Sequence, residues 1–155
     1  MEIKQYTKGH HKSCVEIYKS NTPRYFTVDE WKGLEIWLNG QDEGRIAYKN
    51  TEAEYFYVIG ENGAVVGCGG FYVVTGALIA NLVWGMVHSS FHNQGLGKKL
   101  FEYRIGQIKL KYPQHHIILD TTQHTYKFFE KQGFSIMQIR KDFYDVGLHR
   151  YDMMF

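Results

Sequence analysis

The stretch Val83-Trp84-Gly85-Met86-Val87-His88-Ser89-Ser90-Phe91-His92-Asn93-Gln94-Gly95-Leu96-Gly97-Lys98-Lys99-Leu100-Phe101 decides how this chain is read. It begins as a strand, continues as a loop with two closely spaced glycines, and ends as the first turn of a helix. A helix start exposes backbone N–H groups without intrahelical acceptors, and it carries the positive end of the helix dipole. Glycines there let a ligand approach the backbone closely. Together they form an anion cradle, usually for phosphate. Alone, a Gly-x-Gly between strand and helix is as often only a tight turn. Two common phosphate motifs are not supported. Gly95-Leu96-Gly97-Lys98-Lys99 lacks the spacing of a P-loop, and the dinucleotide motif would need a further glycine and parallel strands before it.

Working outward, the other elements follow from pattern. Ile3 to Tyr6 reads as a short first strand. Cys14, Val15 and Tyr18 fall at helical spacing within residues 10–19, and Asn21-Thr22-Pro23-Arg24 breaks that helix. Thr27 and Glu30 form a capping box, opening a helix that buries Trp31, Leu34 and Leu38 and stops near Gly40. Residues 55–59 alternate as a strand. Gly60-Glu61-Asn62-Gly63 signals a hairpin, with residues 64–74 returning and residues 77–87 as a third strand. Gly69 and Gly70 either weaken the return strand or mark close packing. A helix over residues 97–110 buries Leu96, Leu100, Ile105 and Ile108. Residues 117–119 form a short buried strand. A helix capped by Thr122 or Thr125 runs to Gln132, with Gly133 just past its end. Residues 134–139 and 149–155 close the order as strands. The class is α+β: a mixed, mostly antiparallel central sheet flanked by helices, with one strand–helix–strand crossover making a parallel pair.

Composition narrows the function classes. A chain of 155 residues is most simply a single domain spanning 1–155. A net charge of +2 gives no sign of a nucleic-acid surface. No apolar run is long enough to span a membrane, and the first residues lack the pattern of a signal peptide. Cys14 and Cys68 have neither metal-ligand spacing nor disulfide density, which fits a reducing, cytoplasmic setting. The histidines suggest no metal site: His88 and His92 lie on a loop, and His115-His116 point apart on a strand.

The residues then carry a resemblance. The run from Met86 to Gly97, with the element order around it, resembles the GNAT superfamily of acyl-CoA N-acyltransferases. Their signature is Gln or Arg, two residues, Gly, one residue, then Gly or Ala. Gly95-Leu96-Gly97 matches its last part, and His92 stands at its first position. Downstream, Thr122 to Phe134 is similar to the family's helix ending in Phe-Tyr-Glu-Lys-x-Gly-Phe. The two blocks stand at the expected separation, and the element order covers nearly the whole chain.

The resemblance implies acetyl-CoA as co-substrate, with no metal. His92, Asn93, Gln94, Gly95, Leu96, Gly97 and Lys98 would hold the CoA diphosphate, chiefly through backbone N–H groups. Met86 and Val87 would pair with the pantetheine like an added strand, at a splay that a bulge at Gly85 would support. Thr122 stands where many members have an Asn near the pantetheine, and Phe128 and Phe129 would pack near its thiol. Lys98, Lys99 and Lys127 are candidate phosphate partners, although solvated surface lysines are commoner.

The implied chemistry is direct attack of an amine on the thioester carbonyl. The amine must be neutral, so a base helps; the departing thiolate gains from a proton donor. Many members use the Tyr of Phe-Tyr-Glu-Lys as that donor. Here Phe129 occupies its place. Tyr126, one helical turn earlier, is the nearest substitute, against a packed aromatic as the plainer reading. His124 is a second candidate. His88 and Asp120 are further catalytic candidates, each with a capping or packing alternative. The strand over residues 77–87 has no acidic residue, so no base is assigned.

Arg24, Tyr25 and Phe26 join the early helices and are candidates for binding the acceptor, which would be a small-molecule or protein amine. Nucleic-acid and membrane partners are not expected, and an exposed edge strand leaves room for a homodimer. Phe129 and the missing acidic residue keep one alternative open: an acyl-CoA-binding module or sensor without efficient catalysis.

Overall fold

A computed structural model describes residues 1–155. Seven strands form one sheet in the order β1-β2-β3-β4-β5-β7-β6. They are β1 (Glu2–Gln5), β2 (Thr51–Glu61), β3 (Ala64–Val74), β4 (Ile79–Val87), β5 (His116–Thr121), β6 (Ser135–Asp145) and β7 (Leu148–Met154). The helices are α1 (His11–Ser20), α2 (Trp31–Glu43), α3 (Leu96–Lys111) and α4 (Tyr126–Lys131). Only β4 and β5 run parallel; every other pairing is antiparallel. No helix is long and apolar enough to cross a membrane.

The central strands are apolar on both sides because both faces are covered. Along β2, Phe56 and Val58 join α1 and α2 in one core with Ile17, Leu34 and Trp37. Tyr57 and Ile59 point the other way, into a core with Leu100 and Ile108 of α3. Each large side chain fully buried in this way contributes about 1.5–3 kcal/mol of transfer free energy. The hairpin turn between β2 and β3 has Asn62 and Gly63 both at positive φ (50° and 81°), the conformation that an Asn-Gly pair adopts readily.

Helix α2 and strand β6 end later than the sequence reading placed them, and the glycine pair in β3 closes one open alternative. Helix α2 does not stop near Gly40. Gly40 is buried inside the helix, where an added Cβ would meet Ala47 at 2.7 Å, and Gly44 ends the helix at φ +66°. Strand β6 runs beyond Ile139 to Asp145, since its outer half is exposed and lacks an apolar alternation to betray it. Gly69 and Gly70 mark close packing: an added Cβ at Gly70 would meet the Tyr55 carbonyl oxygen at 2.2 Å.

Two features open the sheet. Strand β4 pairs with β5 only from Ile79 to Asn81, opposite His116 to Ile118. Past Asn81 the two strands diverge. In the same stretch β4 carries one residue more than β3, between the pairs Gly70–Val83 and Cys68–Met86. This bulge holds Trp84 at φ +53° next to Gly85. Bulges sharpen strand twist and redirect side chains, so this one turns the end of β4 away from β5.

Candidate active site

The opening between β4 and β5 is a cleft of about 560 Å³. One end is walled by the loop before α3. There Asn93 and Gly95 sit at positive φ (62° and 77°), and the first α3 bond runs from Lys99 N–H to the Gly95 carbonyl at 3.2 Å. The amides of Leu96, Gly97 and Lys98 therefore lack an intrahelical acceptor. An added Cβ would meet nothing within 4 Å at Gly95 and only Val87 at 3.8 Å at Gly97. The approach to these amides is open, which is what a diphosphate requires.

His92 does not reach outward like the arginine often found at its position. Its Nε2 donates to the Val87 carbonyl at 2.8 Å, and its ring meets Tyr25 edge-on at 5.6 Å. Asn21 Nδ2 donates to the same carbonyl at 3.0 Å. Both acceptor positions of Val87 are thus taken, leaving other backbone groups of the β4 edge to meet a pantetheine. Thr122 is buried, and its hydroxyl accepts from the His124 amide at 3.2 Å, shaping the turn into α4. Phe128 and Phe129 pack edge-on against Phe101 along the cleft wall. Met86, Asn93 and Leu96 also line it.

Several candidates lie elsewhere. Tyr126 does not line the cleft; it stacks on Tyr151 with centroids 4.3 Å apart and planes at 13°. His88 is a local cap, its Nδ1 accepting from the Ser90 amide at 3.1 Å. Arg24 lies over the Tyr25 ring at 5.3 Å, beside a separate shallow depression. Gln94 on the loop and Lys98 in the first turn of α3 lie off the lining, and Lys98 faces Glu102 at 3.9 Å.

The other end of the cleft is acidic. Asp120, Glu30 and Tyr144 line it together. The Tyr144 hydroxyl donates to Asp120, and Arg150 stands 3.9 Å from the other Asp120 oxygen. Burial, then the adjoining Asp120 carboxylate, raises the Tyr144 pKa, so Tyr144 keeps its proton. Glu30 accepts from the Thr27 amide at 3.1 Å through one oxygen, leaving the second free. Burial raises the Glu30 pKa, opposed by the Thr27 hydrogen bonds and assisted by Asp120. Tyr25 meets His92 and, at 5.8 Å, His124 edge-on. Phe26 stacks on Trp84, whose Nε1 donates to the Tyr48 hydroxyl at 2.7 Å.

Sequence reasoning missed Glu30 as a site residue, because the capping box explained it fully. It also missed Arg104, although a signal existed. Arg104 lies four residues after Leu100 and four before Ile108, on the buried stripe of α3. It lines the cleft at 4 % exposure. Its Nη1 donates to the Gly70 carbonyl at 3.1 Å, while its Nε has no partner. Burial pushes its pKa down to about 10, which still leaves it charged at neutral pH.

A family model described as an acetyltransferase (GNAT) domain matches residues 52–136. Solved structures share the fold at low identity. A ribosomal-protein-alanine N-acetyltransferase from Brucella melitensis superposes with a TM-score of 0.76 at 17 % identity, covering 100 % of this chain and 99 % of that one. A ribosomal-protein-S18-alanine N-acetyltransferase from Escherichia coli gives 0.75 at 16 % identity, covering 99 % and 92 %. An aminoglycoside 6'-N-acetyltransferase complexed with coenzyme A gives 0.67 at 14 % identity, covering 100 % and 96 %.

Proposed function

The chain belongs to the GNAT acetyltransferase family, and from that premise we propose that it moves an acetyl group from acetyl-CoA to a primary amine by direct attack in a ternary complex. As a family member it is an acyltransferase. The observation that carries the finer reading is the polarity of the cleft. Unpaired helix-start amides stand at one end, and the carboxylates of Glu30 and Asp120 at the other. The first suits the CoA diphosphate. The second suits an ammonium ion, which must reach the thioester and lose its proton there.

Each group then has a task. Asp120, held by Tyr144 and Arg150, attracts and orients the cationic amine. Glu30 takes the proton. Its raised pKa brings it closer to neutral pH than an ordinary carboxylate, which favours general-base work. The amine lone pair then attacks the thioester carbon. The aromatic walls of Phe26, Trp84 and Phe129 exclude water from that point. Tyr126 has no part in this scheme, because it lies away from the cleft.

The acceptor is an amine of a small molecule or a protein. Neighbours of this fold are named for both kinds, an aminoglycoside amine and a ribosomal-protein alanine. The two buried free cysteines fit the cytoplasm as the place of action. Thiol release from acetyl-CoA, measured across aminoglycosides, diamines and peptides with free N-termini, tests the reading. The expected result is amine-dependent thiol release with an equal yield of acetylated amine. CoA binding without release for any amine would overturn it.

A further inference from the structure

Arg104 is the only charged residue on the buried face of α3. No carboxylate pairs with it, and the one ionisable group that acts on its charge is the Cys68 thiol. The protein makes room for it: Gly69 and Gly85 lack the Cβ atoms that would stand 3.0 Å and 2.7 Å from its guanidinium. A buried, unpaired cation is costly, and a leucine or methionine would fill the same stripe without that cost. The charge therefore calls for an anion that the protein itself does not supply.

The cleft it lines is the place where such an anion forms. Amine attack on a thioester puts negative charge first on the carbonyl oxygen and then on sulfur. Phe129, at the position of the family's proton-donating tyrosine, can give no proton. We propose that the Arg104 guanidinium, lying beneath the β4 bulge, stabilises the charge that develops on the thioester as the thiolate leaves. This rests on the acyl-transfer reading of the same cleft. The amine nitrogen bonds to the carbonyl carbon and the C–S electron pair passes to sulfur; Glu30, having passed the ammonium proton to bulk water, takes the second proton from nitrogen. Arg104 keeps all its protons; the thiolate departs as an anion and is protonated by water afterwards. In a desolvated site the attraction between guanidinium and thiolate is far stronger than in water. The single Nη1 bond to the Gly70 carbonyl fixes the plane of the group, with Nη2 lying beneath Gly85 of the cleft lining.

The rival role is a brace that only shapes the bulge. Arg104→Met keeps the bulk and removes the charge. The test compares wild type, Arg104→Met and Arg104→Ala for kcat with acetyl-CoA, CoA affinity by calorimetry, melting temperature and rescue by added guanidinium chloride. For Arg104→Met we expect kcat to fall about 100-fold, with CoA affinity and melting temperature held. Millimolar guanidinium is expected to restore part of the rate to Arg104→Ala and none to Arg104→Met. An Arg104→Met rate within twofold of wild type would overturn the proposal. So would a rate loss matched by equal losses in CoA affinity and melting temperature. A wild type that turns over no amine would overturn the acyl-transfer reading and this proposal with it.

Discussion

The two ends of the cleft are made of different material. The donor end is backbone: a helix start, a loop at positive φ and a strand edge freed by a bulge. The acceptor end is side chains drawn from separate segments: Glu30 before α2, Asp120 on β5, Tyr144 on β6 and Arg150 on β7. Backbone sites depend on conformation, and few residue types satisfy them. Side-chain sites depend on which groups converge. The donor end should therefore fail when a conformation is blocked, and the acceptor end when a single charge is removed.

The largest effect is expected at the acceptor end. Glu30→Gln keeps the contact with Thr27 and removes the base, so kcat should fall at least about 100-fold. CoA affinity should hold. The pH profile sharpens this. Glu30 works deprotonated and its pKa is raised, so the acidic limb of kcat/KM should stand above the ordinary carboxylate range. In Glu30→Gln that limb should vanish. The stability consequence has the opposite sense. A carboxyl whose folded pKa is raised stabilises the fold most at low pH. That contribution fades as pH climbs from the unfolded pKa through the folded one. Melting temperatures of wild type and Glu30→Gln across pH 4–7 check it, since only wild type should show the fall.

Next comes the donor end. Gly95→Val forces a β-branched residue to φ +77°, which costs about 1–2 kcal/mol or more of backbone strain. The loop should relax away from its cradle, weakening CoA binding by roughly tenfold, a shift readable by calorimetry. The kcat at saturating donor should change far less. If Gly95→Val bound CoA normally, the backbone account of this end would break.

A smaller effect is expected from Tyr144→Phe. It removes the hydroxyl that orients Asp120 and leaves Arg150 in place. The amine KM should rise about three- to tenfold, the scale of one hydrogen bond to a charged group. The donor KM should stay fixed. The smallest effect belongs to Tyr126→Phe, which keeps the stack on Tyr151 and removes a hydroxyl remote from the cleft. Steady-state rates should agree with wild type within twofold across pH 6–9. A larger loss would return Tyr126 to the mechanism.

The same contrast explains what could be read from the sequence. The donor end lies in two short blocks, Met86 to Gly97 and Thr122 to Phe134, where spacing alone sets backbone shape. Glycine and strand–helix order announce it. The acceptor end is legible only once the sheet brings β5, β6 and β7 beside the start of α2. Asp120 was visible as a strand-end carboxylate. Tyr144 was not, because residues 140–145 show no apolar alternation and lay beyond the strand read over residues 134–139. Glu30 was hidden by its capping role, which it keeps through one oxygen while the residue also lines the cleft. Arg104 was detectable, as a charge at a position where periodicity demands an apolar residue. The helix boundary at Gly40 was misread because a glycine can serve packing as well as termination, and only the neighbour Ala47 decides between them.

The central claim is that one cleft holds donor and acceptor together, each at its own end. Initial rates measured over a grid of acetyl-CoA and amine concentrations test it most directly, with mass spectrometry of the protein after acetyl-CoA alone. The account predicts intersecting reciprocal plots and no acetyl group left on the chain. Parallel plots, together with an acetylated protein, would contradict it.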